Sequence, residues 1–293
     1  MFEGSIPALV TPMKDDGAID IDAWDALLDF HVREGTDGVV VGGTTGESPT
    51  LVRAELEQLV RRARARLAGR MPVIAGSGTN GTAHSIELSR AAEAAGADAL
   101  LVVAPYYNKP TQEGLFRHFT AIADAVGVPL ILYNVPGRTA CDLLPETIVR
   151  LSRHPRIAGV KEATGDLSRA EPILAGSRPG FVLLSGDDPT VAQLMRHGCR
   201  GVISVTANVA ARAMHELCAA ALAGRHDEAA AIDARLAPLH KALFVEPNPI
   251  PVKWALQRMG LIGPGIRLPL TPLAESLRPT VESALRSAGI SLP

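Results

Sequence analysis

The sequence predicts an α/β protein, a (β/α)8 TIM barrel followed by an all-helical C-terminal extension. Three observations carry this. Short β-branched or aliphatic runs recur at intervals of roughly 20–35 residues, bounded by Gly or Pro and separated by Ala/Leu/Arg/Glu-rich stretches that read as helices. Runs such as Val39-Val40-Val41, Leu100-Leu101-Val102-Val103 and Leu130-Ile131-Leu132 show little alternation of polar and apolar residues, as parallel strands covered on both faces do. The helix-to-strand turns repeat as well: Glu34-Gly35-Thr36-Asp37, Ala95-Gly96-Ala97-Asp98 and His197-Gly198-Cys199-Arg200 each set a glycine where a helix C-terminus favours a left-handed residue.

Taken in order, the predicted strands are Ile6–Val10, Gly38–Val41, Pro72–Ala75, Ala99–Val103, Pro129–Tyr133, Ile157–Lys161, Phe181–Ser185 and Gly201–Ser204. Eight strand–helix units within about 220 residues suit a closed barrel better than an open doubly wound sheet, which also carries a dinucleotide fingerprint that is missing here. Ala207–Ala223 reads as the last barrel helix, giving a catalytic barrel over 1–224. Residues 225–293 read as a helical region, with helices Asp227–Phe244, Pro249–Met259 and Pro272–Ala288 and a rigid break at Pro247-Asn248-Pro249-Ile250-Pro251. The expected role of that region is to cover the barrel wall or to form a subunit contact, without chemistry of its own.

Composition narrows the functional classes. The chain has 293 residues, 47% hydrophobic and 20% charged, with a formal net charge of -2, so it can bury an ample core. Its 29 Lys and Arg are spread among 31 acids, which leaves no basic face for nucleic acid or an anionic membrane. The N-terminal stretch lacks a basic segment followed by an apolar one, and no run of about 18 apolar residues occurs, so the cytoplasm is the expected compartment. Cys141, Cys199 and Cys218 share no C-x-x-C spacing and are expected to be buried reduced thiols. The eight histidines show no ligand spacing, and no cofactor motif is present, so neither a metal nor a cofactor is expected.

Barrel chemistry gathers at the C-terminal ends of the strands. Here those ends carry Gly42-Gly43-Thr44-Thr45-Gly46-Glu47-Ser48, Ala104-Pro105-Tyr106-Tyr107-Asn108, Tyr133-Asn134-Val135-Pro136-Gly137-Arg138-Thr139 and Lys161. Only five of the 29 basic residues are lysines, Lys14, Lys109, Lys161, Lys241 and Lys253, and only Lys161 ends a run that reads as a buried strand. An amine held there is a candidate nucleophile. Taken alone, Lys161 also reads as a lysine snorkelling out to an ion pair with Glu162, Tyr133 as a core tyrosine, and Arg138 as a surface ion pair. Sharing one mouth changes their reading, because an arginine fork binds a carboxylate and a phenol serves as acid or base beside a Schiff-base amine. Thr44 and Thr45 add neutral hydrogen-bond donors suited to a small carboxylate or to passing a proton.

These segments, together with Gly159-Val160-Lys161-Glu162-Ala163-Thr164-Gly165-Asp166 and Asn248-Pro249-Ile250-Pro251-Val252-Lys253, resemble the dihydrodipicolinate synthase family of pyruvate-dependent class I aldolases, from Ile6 to about Pro272 in the family's order and spacing. The resemblance implies that Lys161 forms a Schiff base with pyruvate and that its enamine adds to L-aspartate 4-semialdehyde. It implies Tyr133 as the proton donor and acceptor, with Thr44 and Tyr107 completing a relay in which Tyr107 serves a neighbouring subunit. Thr45 then holds the pyruvate carboxylate beside Gly186 and Ile203, and Arg138 holds the semialdehyde carboxylate. A homotetramer built of tight dimers is implied too. Another pyruvate aldolase, acting on a hydroxylated or sugar-derived aldehyde, is the alternative. Ser48, Asn80 and Tyr106 match positions at which some members bind lysine as an inhibitor. Arg53 and Leu56 depart from those members' histidines and His84 from their glutamate, so this effector site is expected to be vestigial.

Overall fold

The computed structural model of the chain describes residues 2–293. Eight parallel strands, β1 (Gly4–Pro7), β2 (Val39–Val41), β3 (Val73–Gly76), β4 (Ala99–Val103), β5 (Leu130–Asn134), β6 (Ile157–Glu162), β7 (Val182–Ser185) and β8 (Gly201–Ser204), form one sheet in the order β1-β8-β7-β6-β5-β4-β3-β2. A parallel bridge between Ala8 and Val40, with Leu9 N–H donating to the Val40 carbonyl at 2.9 Å, closes the sheet into a barrel. The predicted barrel is therefore the observed one.

Two apolar layers follow from the strand period of two. Ile6, Val40, Ile74, Leu101, Ile131, Leu184 and Ile203 fill the barrel interior, while Val39, Val41, Leu100, Val102, Leu130, Leu132 and Val160 pack outward against the helices. Gly35, Gly96 and Gly198 have φ of +79°, +99° and +95°, the left-handed values anticipated at the three repeated turns. Cys141, Cys199 and Cys218 are buried free thiols, and burial pushes the Cys199 thiol up to about 11.

Several boundaries move for identifiable reasons. The first strand runs over Gly4–Pro7 and not Ile6–Val10, because after Ala8 N–H bonds to Ser204 the chain crosses to β2. Predicted helix Ala207–Ala223 divides into a short 3-10 turn, Thr206–Asn208, and a helix, Ala211–Leu222. Asn208 is diverted from helix formation because its side chain bonds to Val10 N–H and the Ala8 carbonyl. The C-terminal helices are His226–Ala242, Ile250–Arg258 and Arg278–Ser287. The last begins later than Pro272, since Pro279 fits the first helical turn, where a missing N–H costs nothing. No helix among the described residues is long and apolar enough to cross a membrane.

His31, inside helix Ile21–Arg33, is fully buried with Nδ1 3.0 Å from Thr36 Oγ1, and burial depresses its pKa to about 3. A depressed histidine contributes stability that is fully present above the unfolded value near 6.5 and is lost as pH falls toward the folded value. Urea titrations at pH 6, 5 and 4 test this. The stability difference between wild type and His31→Gln is expected to shift in the variant's favour by about 1.4 kcal/mol per pH unit of acidification. An unchanged difference would show that the ring carries a proton in the fold.

Candidate active site

The pairing of β5 with β6 sets Tyr133 against Lys161 and Asn134 against Glu162. Alternation then sends the first pair into the barrel and the second pair outward. Lys161 and Tyr133 are 6% and 7% exposed, and Lys161 Nζ stands 4.3 Å from the centre of the Tyr133 ring. Lys161 joins no ion pair among the described residues, and the pairing with Glu162 considered from sequence does not form. Glu162 instead accepts from Arg169 Nε at 3.1 Å, Asn134 Nδ2 at 3.2 Å and Thr164 N–H at 3.0 Å. Arg169 also binds both Asp142 oxygens at 3.1 Å. Burial raises the Glu162 pKa, against the opposing pull of Arg169 and of its hydrogen bonds.

On the far side of Lys161 the chain needs a glycine. A Cβ at Gly186 would lie 2.8 Å from Lys161 Cε and 2.5 Å from Ala163 Cβ, so any side chain there would displace the amine. Ile203 belongs to the same interior cluster as Tyr133.

A cavity of about 310 Å³ opens over these strand ends, with Thr44, Ser48, Tyr106, Tyr133, Arg138 and Thr139 on its wall. Thr45 is buried behind that wall, bonded through Oγ1 to Asn248 Nδ2 at 3.0 Å. The exposed Arg138 guanidinium donates to the Asn248 carbonyl at 3.4 Å and has no acid partner among the described residues, so the surface ion pair considered from sequence does not form either. Thr44, Tyr133 and Arg138 thus share one cavity, with Lys161 against the Tyr133 ring. Tyr107 does not join them: it is 88% exposed, at φ +75°.

Of the expected effector positions, Ser48 and Tyr106 are on the cavity wall, joined there by Arg53 and Leu56. The Asn80 carbonyl accepts from Asn108 Nδ2 at 2.9 Å, and His84 is exposed and off the wall. Arg53 pairs with Glu57 at 2.9 Å and with Glu87 at 3.0 Å. A carboxylate one helical turn from His84 is therefore present, but it is engaged by an arginine.

Asn248, Glu47, Lys253 and Arg267 had no assigned role in the sequence reading. Lys253 is buried in helix Ile250–Arg258, and its amine pairs with the buried Glu47 carboxylate. A lysine between Val252 and Trp254 in an apolar helix, at the end of a segment that carries the family resemblance, is the sequence signal that could have marked it.

Residues 1–288 match the family described as Dihydrodipicolinate synthetase family. This chain belongs to that family. It is 57% identical over 290 residues to the 4-hydroxy-tetrahydrodipicolinate synthase of Stutzerimonas stutzeri (strain A1501), covering 99% of each chain. It is 58% identical over 287 residues to the enzyme of the same name from Methylibium petroleiphilum, covering 98% of each. Among solved structures, the chloride-inhibited dihydrodipicolinate synthase from Acinetobacter baumannii complexed with pyruvate superposes with a TM-score of 0.98 at 50% identity, covering 99% of this chain and 100% of that one.

Proposed function

We propose that the chain condenses pyruvate with L-aspartate 4-semialdehyde to give 4-hydroxy-tetrahydrodipicolinate, the first committed step toward diaminopimelate and lysine, through a Schiff base on Lys161. The observation that carries this is a buried amine without an ion-pair partner 4.3 Å from the ring of Tyr133, which lines a cavity that also holds the Arg138 guanidinium. The Lys161 amine adds to C2 of pyruvate and water leaves, giving the imine. Loss of a C3 proton yields the enamine, whose C3 forms the new C–C bond to the aldehyde carbon, and the resulting alkoxide is protonated. The semialdehyde's own amine then attacks the imine carbon and closes the ring, and the C–N bond to Lys161 breaks to free the lysine.

Tyr133 supplies and removes the protons. A free phenol is almost wholly protonated at neutral pH, so two-way transfer needs hydroxyl partners. Thr44 supplies one of them from the same cavity wall. Tyr107 supplies the other to a neighbouring copy, a reading supported by its exposed ring and left-handed backbone beyond β4. Thr45, beside Gly186 and Ile203, receives the pyruvate carboxylate, and Arg138 the carboxylate of the semialdehyde. A hydroxylated or sugar-derived aldehyde is the less favoured acceptor.

Borohydride reduction in the presence of pyruvate, followed by peptide mass mapping, tests the chemistry. The label is expected on Lys161 alone and is lost in Lys161→Ala; a label on Lys109 or Lys253 would overturn the mechanism. In Arg138→Ala trapping persists while kcat/KM for the semialdehyde falls by about one to two decades, the cost of one charged hydrogen bond.

The assembly is a homotetramer, a dimer of dimers, in which Tyr107 completes the partner's relay. Mixing inactive Tyr107→Phe with inactive Lys161→Ala protein should regain activity at a level set by the fraction of mixed dimers. A wild-type monomer with full activity in sedimentation would rule the arrangement out.

The effector site is vestigial. A ligand with two ammonium groups needs a free acceptor carboxylate, and Glu57 and Glu87 are both engaged by Arg53. Lysine titrated against initial rate at sub-saturating pyruvate is expected to reach half-inhibition only above millimolar concentration; a much lower value would show that another group supplies the missing acceptor.

A further inference from the structure

The loop carrying Thr44 and Thr45 turns at Glu47, a non-glycine residue in the left-handed region at φ +59°, ψ 37°. Its backbone ties the turn together: Glu47 N–H donates to the Thr44 carbonyl at 3.1 Å, and Thr50 N–H and Oγ1 donate to the Glu47 carbonyl at 2.9 and 3.0 Å. Gly46 and Ser48 N–H both bond to the Gly43 carbonyl. Which way the two threonines face is thus set at a residue whose backbone conformation is intrinsically disfavoured and must be held from outside.

What holds it comes from the C-terminal helical region. The Glu47 carboxylate, 1% exposed, receives the Lys253 amine and, at 3.1 Å, Arg267 N–H. Arg267 extends the clamp to the end of the same loop, donating to the Thr50 carbonyl at 2.7 Å and to Glu55 at 2.8 Å. Five residues before Lys253, Asn248 Nδ2 bonds Thr45 Oγ1 while its carbonyl accepts from Arg138. One stretch, Asn248–Lys253, therefore grips both the hydroxyl loop and the arginine. Burial pushes the Lys253 ammonium below the usual lysine range and Glu47 pulls it back, the pattern of a pair that depends on its partner.

We propose that Glu47 and Lys253 are positioning residues for pyruvate, holding Thr44 and Thr45 in place so that the C-terminal helical region is part of the pyruvate subsite. This rests on the Schiff-base reading above. The competing role is purely structural, a fastening that keeps the helical region on the barrel.

Single substitutions do not separate the two roles, because each strands a buried charge and destabilises the fold. The double variant Glu47→Gln, Lys253→Met removes both charges and keeps similar shapes, so its Tm is expected to stay within a few degrees of wild type. In that protein the pyruvate concentration for half-maximal borohydride trapping on Lys161, and with it KM for pyruvate, should rise about tenfold or more, while KM for the semialdehyde stays within about twofold. If the double variant does not fold, Glu47→Gly, Lys253→Met replaces it, since glycine adopts the left-handed turn freely, and the same split is expected. A folded double variant that traps pyruvate at wild-type concentrations, or one in which both KM values rise together, would overturn the positioning role. Failure of wild type itself to be trapped at Lys161 would instead strike the Schiff-base reading.

Discussion

The pairing of β5 with β6, whose register shifts by one residue between Leu130 and Ile131, is the constraint on which the rest of the site depends. Because side chains alternate, setting Tyr133 opposite Lys161 inside the barrel obliges Asn134 and Glu162 to face outward. A slip of one residue would exchange the two sets and bury the amine among the helices. The outward set resists such a slip. Glu162, Asn134, Arg169 and Asp142 satisfy one another in a partly buried network, and at its most buried pair, Glu162 with Arg169, removing one partner typically costs about 3–5 kcal/mol. The outer face thus fixes what the inner face presents.

Two buried lysines show what a partner decides. Lys161 and Lys253 are about equally hidden from solvent, at 6% and 5% exposure. Lys253 meets a carboxylate, so its charge is compensated and its nitrogen is committed to Glu47. Lys161 meets the Tyr133 ring and the space left by Gly186, and its nitrogen joins no ion pair among the described residues. Burial alone distinguishes neither; the neighbouring side chain commits one amine to an ion pair and leaves the other without one.

The C-terminal helical region reaches into the site through Asn248, Lys253 and Arg267, each bonded to the loop after β2. It is therefore more than the covering layer expected of it. Its contacts converge on Thr45 and Glu47, beside the cavity-lining Thr44 and Ser48, and on Arg138, which follows β5, so that two separate strand ends are referred to one external frame.

Much of this protein is legible in the chain itself. Aliphatic runs at barrel spacing, turn glycines with the anticipated positive φ, and hydroxyls, phenols, arginine and lysine at strand ends are local features, and local sterics and period-two alternation are enough to read them. Tertiary structure alone decided the partners. Whether Lys161 would pair with Glu162, whether Glu47 would face solvent or Lys253, and whether Tyr107 would turn toward the cavity or away from it each depends on residues distant in sequence, Glu47 and Lys253 being 206 positions apart. Ion pairs and hydrogen bonds are short-ranged and set by approach in space, which a one-dimensional pattern does not contain until the barrel has closed.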